Sequence, residues 1–423
     1  MLEDNLLPKA DQLDRIARET KLIQRTSHKF SAAGFLVTLL KATIKGDTSL
    51  NHLVMHLAGF VRKPMTRQAM FQRFGPASSA FLLSVMRQIL SQRFPSADEV
   101  LRSGSFGRVI VEDSTVVSMA KSNAENFPNN GNRHEMTAGC KCLLIADLIS
   151  GKALDFQLHA AREADQALAF ESVDHCRKND LLIRDMGFFS LAALAEIQSR
   201  KAFWISRLPA SVSAADTSGI ALVKILKGAS GDRLDIPVVI GRGTLSCRLI
   251  ALRLDRKRAA ANRRHLRSEA KRRGRGQPKK ESLERAGWRI IVTNLDADQV
   301  SADQLSDLYA LRWSIEIKFR AFKQSCKLSH GLRHRSGFHH IEAMVLAAMI
   351  YQLLTLRVHA VLARRKAFSG WISIEKTSDW ISIQLLALNP SRDIGISRPD
   401  PRHLRYECRS RANHWQAITH SLA

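Results

Sequence analysis

Tyr309, Arg312, Glu316 and Lys323 are separated by three, four and seven positions. At ~100° per helical residue they share one face, within an arc of roughly 60°. A helix is expected from Asp303 to Lys323, with Leu308, Leu311, Ile315, Phe319 and Phe322 on a neighbouring face that must pack on a core. It would present one carboxylate flanked by a phenol, a guanidinium and an ammonium. By itself Arg312–Glu316 is an ordinary i,i+4 pair worth ~0.2–0.5 kcal/mol. Two more carboxylates change that reading, because Asp113 and Asp185 each end a strand-like apolar run. Three converging carboxylates repel one another and rise in pKa unless cations sit among them. Mg²⁺, a hard cation with oxygen ligands, fits such a set, with Mn²⁺ as a substitute. Two such ions ~3.5–4 Å apart activate an attacking oxygen and stabilise the leaving one in phosphodiester chemistry. Arg312, Lys323 and Tyr309 then become partners for phosphate oxygens.

The elements that must position these residues follow from periodicity. Residues 1–100 read as helical, with an apolar stripe over Lys29–Lys45, a short helix over Arg67–Phe74 capped by Thr66, and another over Phe81–Phe94. Basic and amide side chains on the short helix (Arg67, Gln68, Gln72, Arg73) suit a DNA-reading region. The period then changes. Strands are expected at Arg108–Asp113, Lys141–Ala146 and Leu154–Leu158 as an antiparallel meander, with Ser114–Val117 following the first. A helix over Glu163–Lys178, a strand over Leu181–Asp185, a helix over Phe189–Ser199 and a strand over Ala202–Ser206 complete the order β-β-β-α-β-α-β. That is the order of a ribonuclease-H-like sheet. From about residue 208 to 300 short strand-like runs interrupt it, ending in Trp288–Thr293. A second long helix is expected over Ile341–Ala360, followed by a polar C-terminal region. The division is therefore 1–100, a core over 101–360 and a C-terminal region over 361–423, a candidate place for dimer contacts.

Composition narrows the partners. The 423 residues carry 65 Lys+Arg against 39 Asp+Glu, a formal net charge of +26, while 45% are hydrophobic. A foldable chain with that surplus points to a polyanion, nucleic acid first. Arg256–Lys280 holds 12 Lys or Arg among 25 residues, with Glu269 the lone acid, and reads either as a charged linker or as a phosphate-contacting arm. The apolar run Ala343–Leu356 is shorter than the ~20 residues of a membrane span, so no membrane partner is expected. The N-terminal residues do not read as a signal peptide, which suggests a cytoplasmic setting. Cys140 and Cys142 have no second pair to complete a zinc site.

The stretch Tyr309–Lys323 resembles the Y-(2)-R-(3)-E-(6)-K signature of the IS4-type DDE transposases. Asp185-Met186-Gly187-Phe188 is similar to that family's D-x-G-(Y/F) segment, and Asp113-Ser114-Thr115-Val116 to its first-aspartate segment. The resemblance runs over about residues 30–360 and includes a β-rich insertion between the second Asp and the Glu, as in the Tn5 transposase branch. It implies an α/β ribonuclease-H-like core, Asp113, Asp185 and Glu316 as ligands of two Mg²⁺ ions, and a homodimer on DNA. It also implies cut-and-paste transposition from terminal inverted repeats through a hairpin. Trp288 resembles a tryptophan that stacks on a flipped base, the other reading being a core aromatic of its strand. Lys141 is loosely similar to a family lysine.

Other candidates carry less. Strand alternation turns Glu112 away from Asp113. Asp147 and His159 read as turn residues, His330, His334, His339 and His340 as solvated or DNA-facing, and Ser114 has no evident His/Asp partner. Two rival functions remain: a metal-dependent nuclease of the same fold without strand transfer, and an inactive transposase-derived DNA-binding protein.

Overall fold

A computed structural model describes residues 7–25, 27–91, 106–131, 136–150, 152–274, 276–312, 337–363, 372–388 and 401–404. The expected positions of Glu316, Lys323, His330 and His334 lie outside the described residues. Two compact units are present. The described residues of the first come from 7–91, 113–163 and 337–404; those of the second from 106–112 and 164–312.

The first unit is largely helical. Helices α1 (Ala10–Glu19), α2 (Ala32–Lys45), α3 (Leu50–Ala58), α4 (Arg67–Phe71) and α5 (Pro76–Ser91) lead into the second half of strand β1 (Val109–Met119), then β2 (Ala138–Asp147) and β3 (Ala153–Ala160). Ser31 caps α2 by accepting from the Gly34 N–H, and Gly46 ends it at φ 73°, a left-handed conformation glycine adopts without a Cβ clash. Thr66 caps α4 as expected, but the helix spans five residues, and Arg73 beyond it donates to the Leu22 carbonyl and covers the Phe30 ring. Arg73 is thus spent on packing. The α5 helix starts at Pro76, five residues earlier than the sequence suggests, because Pro is favoured in a first helical turn. β2 is buried along its whole length and pairs antiparallel with β3.

In our numbering α11 is the 26-residue helix Phe338–Ala363 and α12 is Ile374–Ala387. By length and composition α11 could cross a membrane, yet 83% of its apolar window is buried within the fold. It packs on α2, α5, α12 and β3. Its Tyr351 hydroxyl donates to the Ser378 carbonyl at 2.6 Å. His340 stacks on Phe74 at 4.3 Å and is buried, so the solvated reading of that histidine fails.

The second unit is a sheet. Its order is β1-β4-β5-β9-β8-β7-β6, while the first unit contributes β3-β2-β1. Here β4 is Leu181–Arg184, β5 Phe203–Arg207, β6 Ala214–Asp216, β7 Arg233–Ile240, β8 Leu245–Arg253 and β9 Trp288–Thr293. β1, β4 and β5 are parallel; from β5 to β6 every pairing is antiparallel. The insertion therefore extends the core sheet rather than forming a separate module. Helices α6 (Leu191–Ser199), α7 (Leu222–Gly228), α8 (Arg256–Arg272), α9 (Lys280–Arg285) and α10 (Ala302–Ala310) accompany it.

The helix expected over Glu163–Lys178 does not form; two short 3₁₀ turns, Ala167–Phe170 and Val173–His175, take its place. An α-helix would need the carbonyls of Ala169 and Val173 for its own N–H groups. Instead these accept from the guanidinium groups of Arg184 and Arg200, and the His175 carbonyl accepts from Arg108. Charge-assisted bonds of this kind are roughly twice as strong as neutral ones, and here they outweigh local propensity. The charged run after β8 is a capped helix, α8, and the linker reading is set aside.

Candidate active site

Pairing of β1 with β4 joins residues 72 apart: Val109 with Leu181, Ile110 with Leu182, Val111 with Ile183. Two ion pairs with the same offset bracket these apolar steps. Arg108 meets Asp180 at 2.5 Å before them, and Arg184 Nε meets Glu112 Oε1 at 2.5 Å after them. Both charges of the second pair are fully buried. Arg184 also donates to Ala169 O and to Ser172 Oγ, the latter at 3.1 Å. Burial pushes the Glu112 carboxyl above its ordinary range, and the Arg184 cation opposes that rise. Glu112 is thus committed to structure, as strand alternation suggested.

Asp185 follows the last residue of β4. Its side chain caps a short 3₁₀ turn, Met186–Phe188, by accepting from the Gly187 N–H at 3.5 Å. A Cβ on Gly187 would meet Asp165 Oδ2 at 3.1 Å, a tight contact with a side-chain end. The Asp185 side chain is 39% exposed, and Arg312 Nε lies 3.6 Å from its Oδ1. Arg312 is the more buried partner, at 14%.

Tyr309 stands on α10, which opens with a capping box at Ser301 and Gln304. The Tyr309 hydroxyl is pushed up to about 12, chiefly by burial and further by the Asp185 carboxylate, against the pull of Arg312 and Arg207. It stays protonated across any working pH. The expected unbroken helix over Asp303–Lys323 is corrected at its middle: α-helical geometry ends at Ala310, and Leu311 and Arg312 close i→i−3 bonds to Leu308 and Tyr309. The tighter turn alters the angular step after Ala310, so uniform α-helical spacing no longer sets where Arg312 points relative to Tyr309. Arg312 still lies with its guanidinium carbon 6.0 Å from the Tyr309 ring centroid.

Asp113 is not at a strand end. It is the fifth residue of the 11-residue β1, where burial changes from the fully buried Val109–Glu112 to half-buried Asp113 and Ser114. The β-branched residues Thr115–Val117 continue the extended run, so no break was available to end it. Asp113 Oδ1 accepts from the Ser114 N–H at 2.8 Å. Trp288 opens β9, 4% exposed, with the Arg253 guanidinium 4.2 Å over its ring. Asp147 accepts from Ile149 and Ser150 N–H groups, a turn role as expected. His159 pairs with Glu163, and the Lys141 ammonium donates to the Glu163 carbonyl.

Among the described residues no group of three His, Cys, Asp or Glu side chains is gathered as a metal site. Asp113 and Asp185 supply hard carboxylate oxygens of the kind Mg²⁺ prefers, and Asp185 keeps much of its carboxylate open. The residues that the sequence overlooked are Arg184 and Arg108. Their signal was present in two doublets, Glu112-Asp113 and Arg184-Asp185, separated by the same 72 residues as the strand register.

A family model described as "Transposase DDE domain" matches residues 104–353. The transposase for insertion sequence element IS231F of Bacillus thuringiensis subsp. israelensis is 26% identical over 342 residues, covering 75% of this chain and 71% of the relative. The IS231B transposase of Bacillus thuringiensis subsp. berliner is 24% identical over 404 residues, covering 89% and 84%. The transposase for IS1151 of Clostridium perfringens is 22% identical over 345 residues, covering 75% and 72%. A cryo-EM structure of a piggyBac transposase synaptic complex with hairpin DNA aligns at TM-score 0.48 with 10% identity, covering 94% of this chain and 83% of that one.

Proposed function

The chain belongs to the transposase DDE-domain family, and on that premise we propose that it moves an insertion sequence by cut-and-paste transposition. Members of this family cleave and transfer DNA strands. Asp113, Asp185 and Glu316 are the proposed metal ligands, all inside the matched span 104–353. Mg²⁺, when bound, supplies Lewis-acid polarisation of the scissile phosphate and charge neutralisation for the attacking and leaving oxygens.

The observation that carries the reading is the open Asp185 carboxylate, fixed directly after β4 with Arg312 at 3.6 Å and a permanently protonated Tyr309 on the preceding turn. The offset of 72 that sets the β1–β4 register also separates Asp113 from Asp185.

In this scheme Arg312 orients a non-bridging phosphate oxygen through its planar fork and offsets charge that grows on it. Tyr309 donates its phenolic proton as a hydrogen bond and keeps it, and Lys323 adds a further cation for the phosphate. Each step is an in-line displacement at phosphorus: one P–O bond forms as another breaks. Water first releases a 3′-hydroxyl at the element end. That hydroxyl then attacks the opposite strand to leave a hairpin; a second water attacks the hairpin phosphodiester and releases the 3′-hydroxyl again, which then attacks target DNA. A homodimer would hold the two inverted repeats together.

The test is cleavage of duplexes carrying the sequences that flank this gene, with Mg²⁺ and with chelator. Nicks at a repeated boundary followed by hairpin or strand-transfer products are expected. Cleavage without any joined product would move the assignment to a nuclease, and tight binding without cleavage to a DNA-binding relic.

A further inference from the structure

We propose that α8 is a preformed phosphate-contact surface for duplex DNA, engaging the backbone of the same element end that the proposed active site cuts. The inference rests on the transposase reading and adds an interaction surface to it.

The helix is 17 residues long and capped by Asp255. At ~100° per residue, Arg256, Lys257, Arg264, Arg267 and Lys271 fall within an arc of about 100°. All five are exposed, and none has an acidic partner among the described residues. The nearby acids serve cations outside this arc: Asp255 pairs with Arg258, and Glu269 with Arg272 and Arg273. The stripe runs about 22 Å along the axis, from the first position to the sixteenth, at ~1.5 Å per residue.

Two features argue against a merely solvated face. First, the helix is fixed in place: Asn262 Nδ2 donates to the Ala286 carbonyl at 3.2 Å, and Arg263 Nε to the Leu283 carbonyl at 3.0 Å. Ala259 is buried on the same side. The cations are therefore held on a rigid rod. Second, like charges recur at i,i+4 (Arg263/Arg267, Arg267/Lys271), a spacing that destabilises an isolated helix and that a polyanion relieves. An anionic membrane would also attract such charge, but interfacial helices need a free apolar face. Here Ala259 and the half-buried Leu266 turn into the unit instead. DNA asks only for the cations.

The test uses the full chain and a duplex carrying the element end. Wild type is compared with the variant Arg256→Gln/Lys257→Gln/Arg264→Gln/Arg267→Gln/Lys271→Gln, and with Arg258→Gln/Arg272→Gln, which removes cations outside the stripe. Binding is measured from 50 to 200 mM salt, where each phosphate contact adds about 0.9 to the slope of log K against log salt. The stripe variant should lose about 4 from that slope, and the other variant less than about 1. Should the fivefold change unfold the helix by circular dichroism, Arg264→Gln and Arg267→Gln singly should each lower the slope by about 0.9. An unchanged slope, or an equal loss per charge in both variants, overturns the proposal. Mg²⁺-dependent cleavage by wild type, run alongside, separates the two readings. Cleavage with an unchanged slope in the stripe variant faults the stripe alone. A reduced slope with no cleavage supports the stripe and faults the cut-and-paste assignment.

Discussion

Two arginine–carboxylate pairs sit one residue apart at the end of β4 and have opposite characters. Arg184–Glu112 is sealed: both side chains are fully buried at 2.5 Å, with further bonds from the guanidinium to Ala169 and Ser172. Asp185–Arg312 is open: the gap is 3.6 Å and the carboxylate is 39% exposed. In a strand successive side chains point to opposite faces, so a single step along the chain converts a structural charge into an available one. A charge locked by short bonds in a dry interior cannot exchange partners during a reaction. One held loosely at the rim can accept a cation or face a phosphate without dismantling the fold.

The largest effect is expected at the open pair. Asp185→Asn should lower strand cleavage by about three orders of magnitude or more, equivalent to ~4 kcal/mol of transition-state stabilisation. Its melting temperature should stay close to wild type, because an exposed isosteric amide keeps the cap on Gly187. Retained cleavage would end the assignment of Asp185 as a metal ligand.

At the sealed pair the consequence should move to stability. Removing one partner of a buried ion pair strands the other charge, at a cost of about 3–5 kcal/mol. Arg184→Met or Glu112→Gln alone should therefore lower the denaturant midpoint strongly, whereas Arg184→Met with Glu112→Leu should recover much of the loss. If the single variants melt like wild type but fail to cleave, the division between structural and functional pairs collapses.

A buried titratable group in the first unit sharpens the contrast through pH. His340 is held down to about 4 by burial against Phe74, below its ordinary value near 6.5. The unfolded chain binds the proton first, so stability is complete above about pH 6.5 and is lost as pH falls toward 4, by on the order of 3 kcal/mol. Replacing His340 with Phe should flatten that acid limb in melts run between pH 4 and 7. An unchanged limb would show that the imidazole is not buried as a neutral group.

The smallest effect is expected from Arg312→Lys. It keeps the charge beside Asp185 but loses the planar fork, and should reduce strand transfer by about tenfold, or ~1.4 kcal/mol. A loss as large as that of Asp185→Asn would make Arg312 the dominant group of the open pair.

Much of this was legible in the chain. The succession of buried strands was readable because apolar period reports which face meets a core. So was the cationic surplus, since charge is a property of composition. Asp185 was marked by its place after Leu181–Arg184 and before Gly187. What the sequence alone could not decide was where polar groups spend their bonds. The run Glu163–Lys178 has helical spacing, but its carbonyls go to Arg108, Arg184 and Arg200 from distant positions. His340 and Arg73 carry polar heads, but ring stacking with Phe74 and Phe30 draws them inward. Asp113 lies within a strand because extended backbone continues through Thr115–Val117. Local sequence determines periodicity, capping and charge, which act over one or two turns. Long-range hydrogen bonds and ion pairs are decided only when the fold brings their partners together, and those bonds then override the local preference.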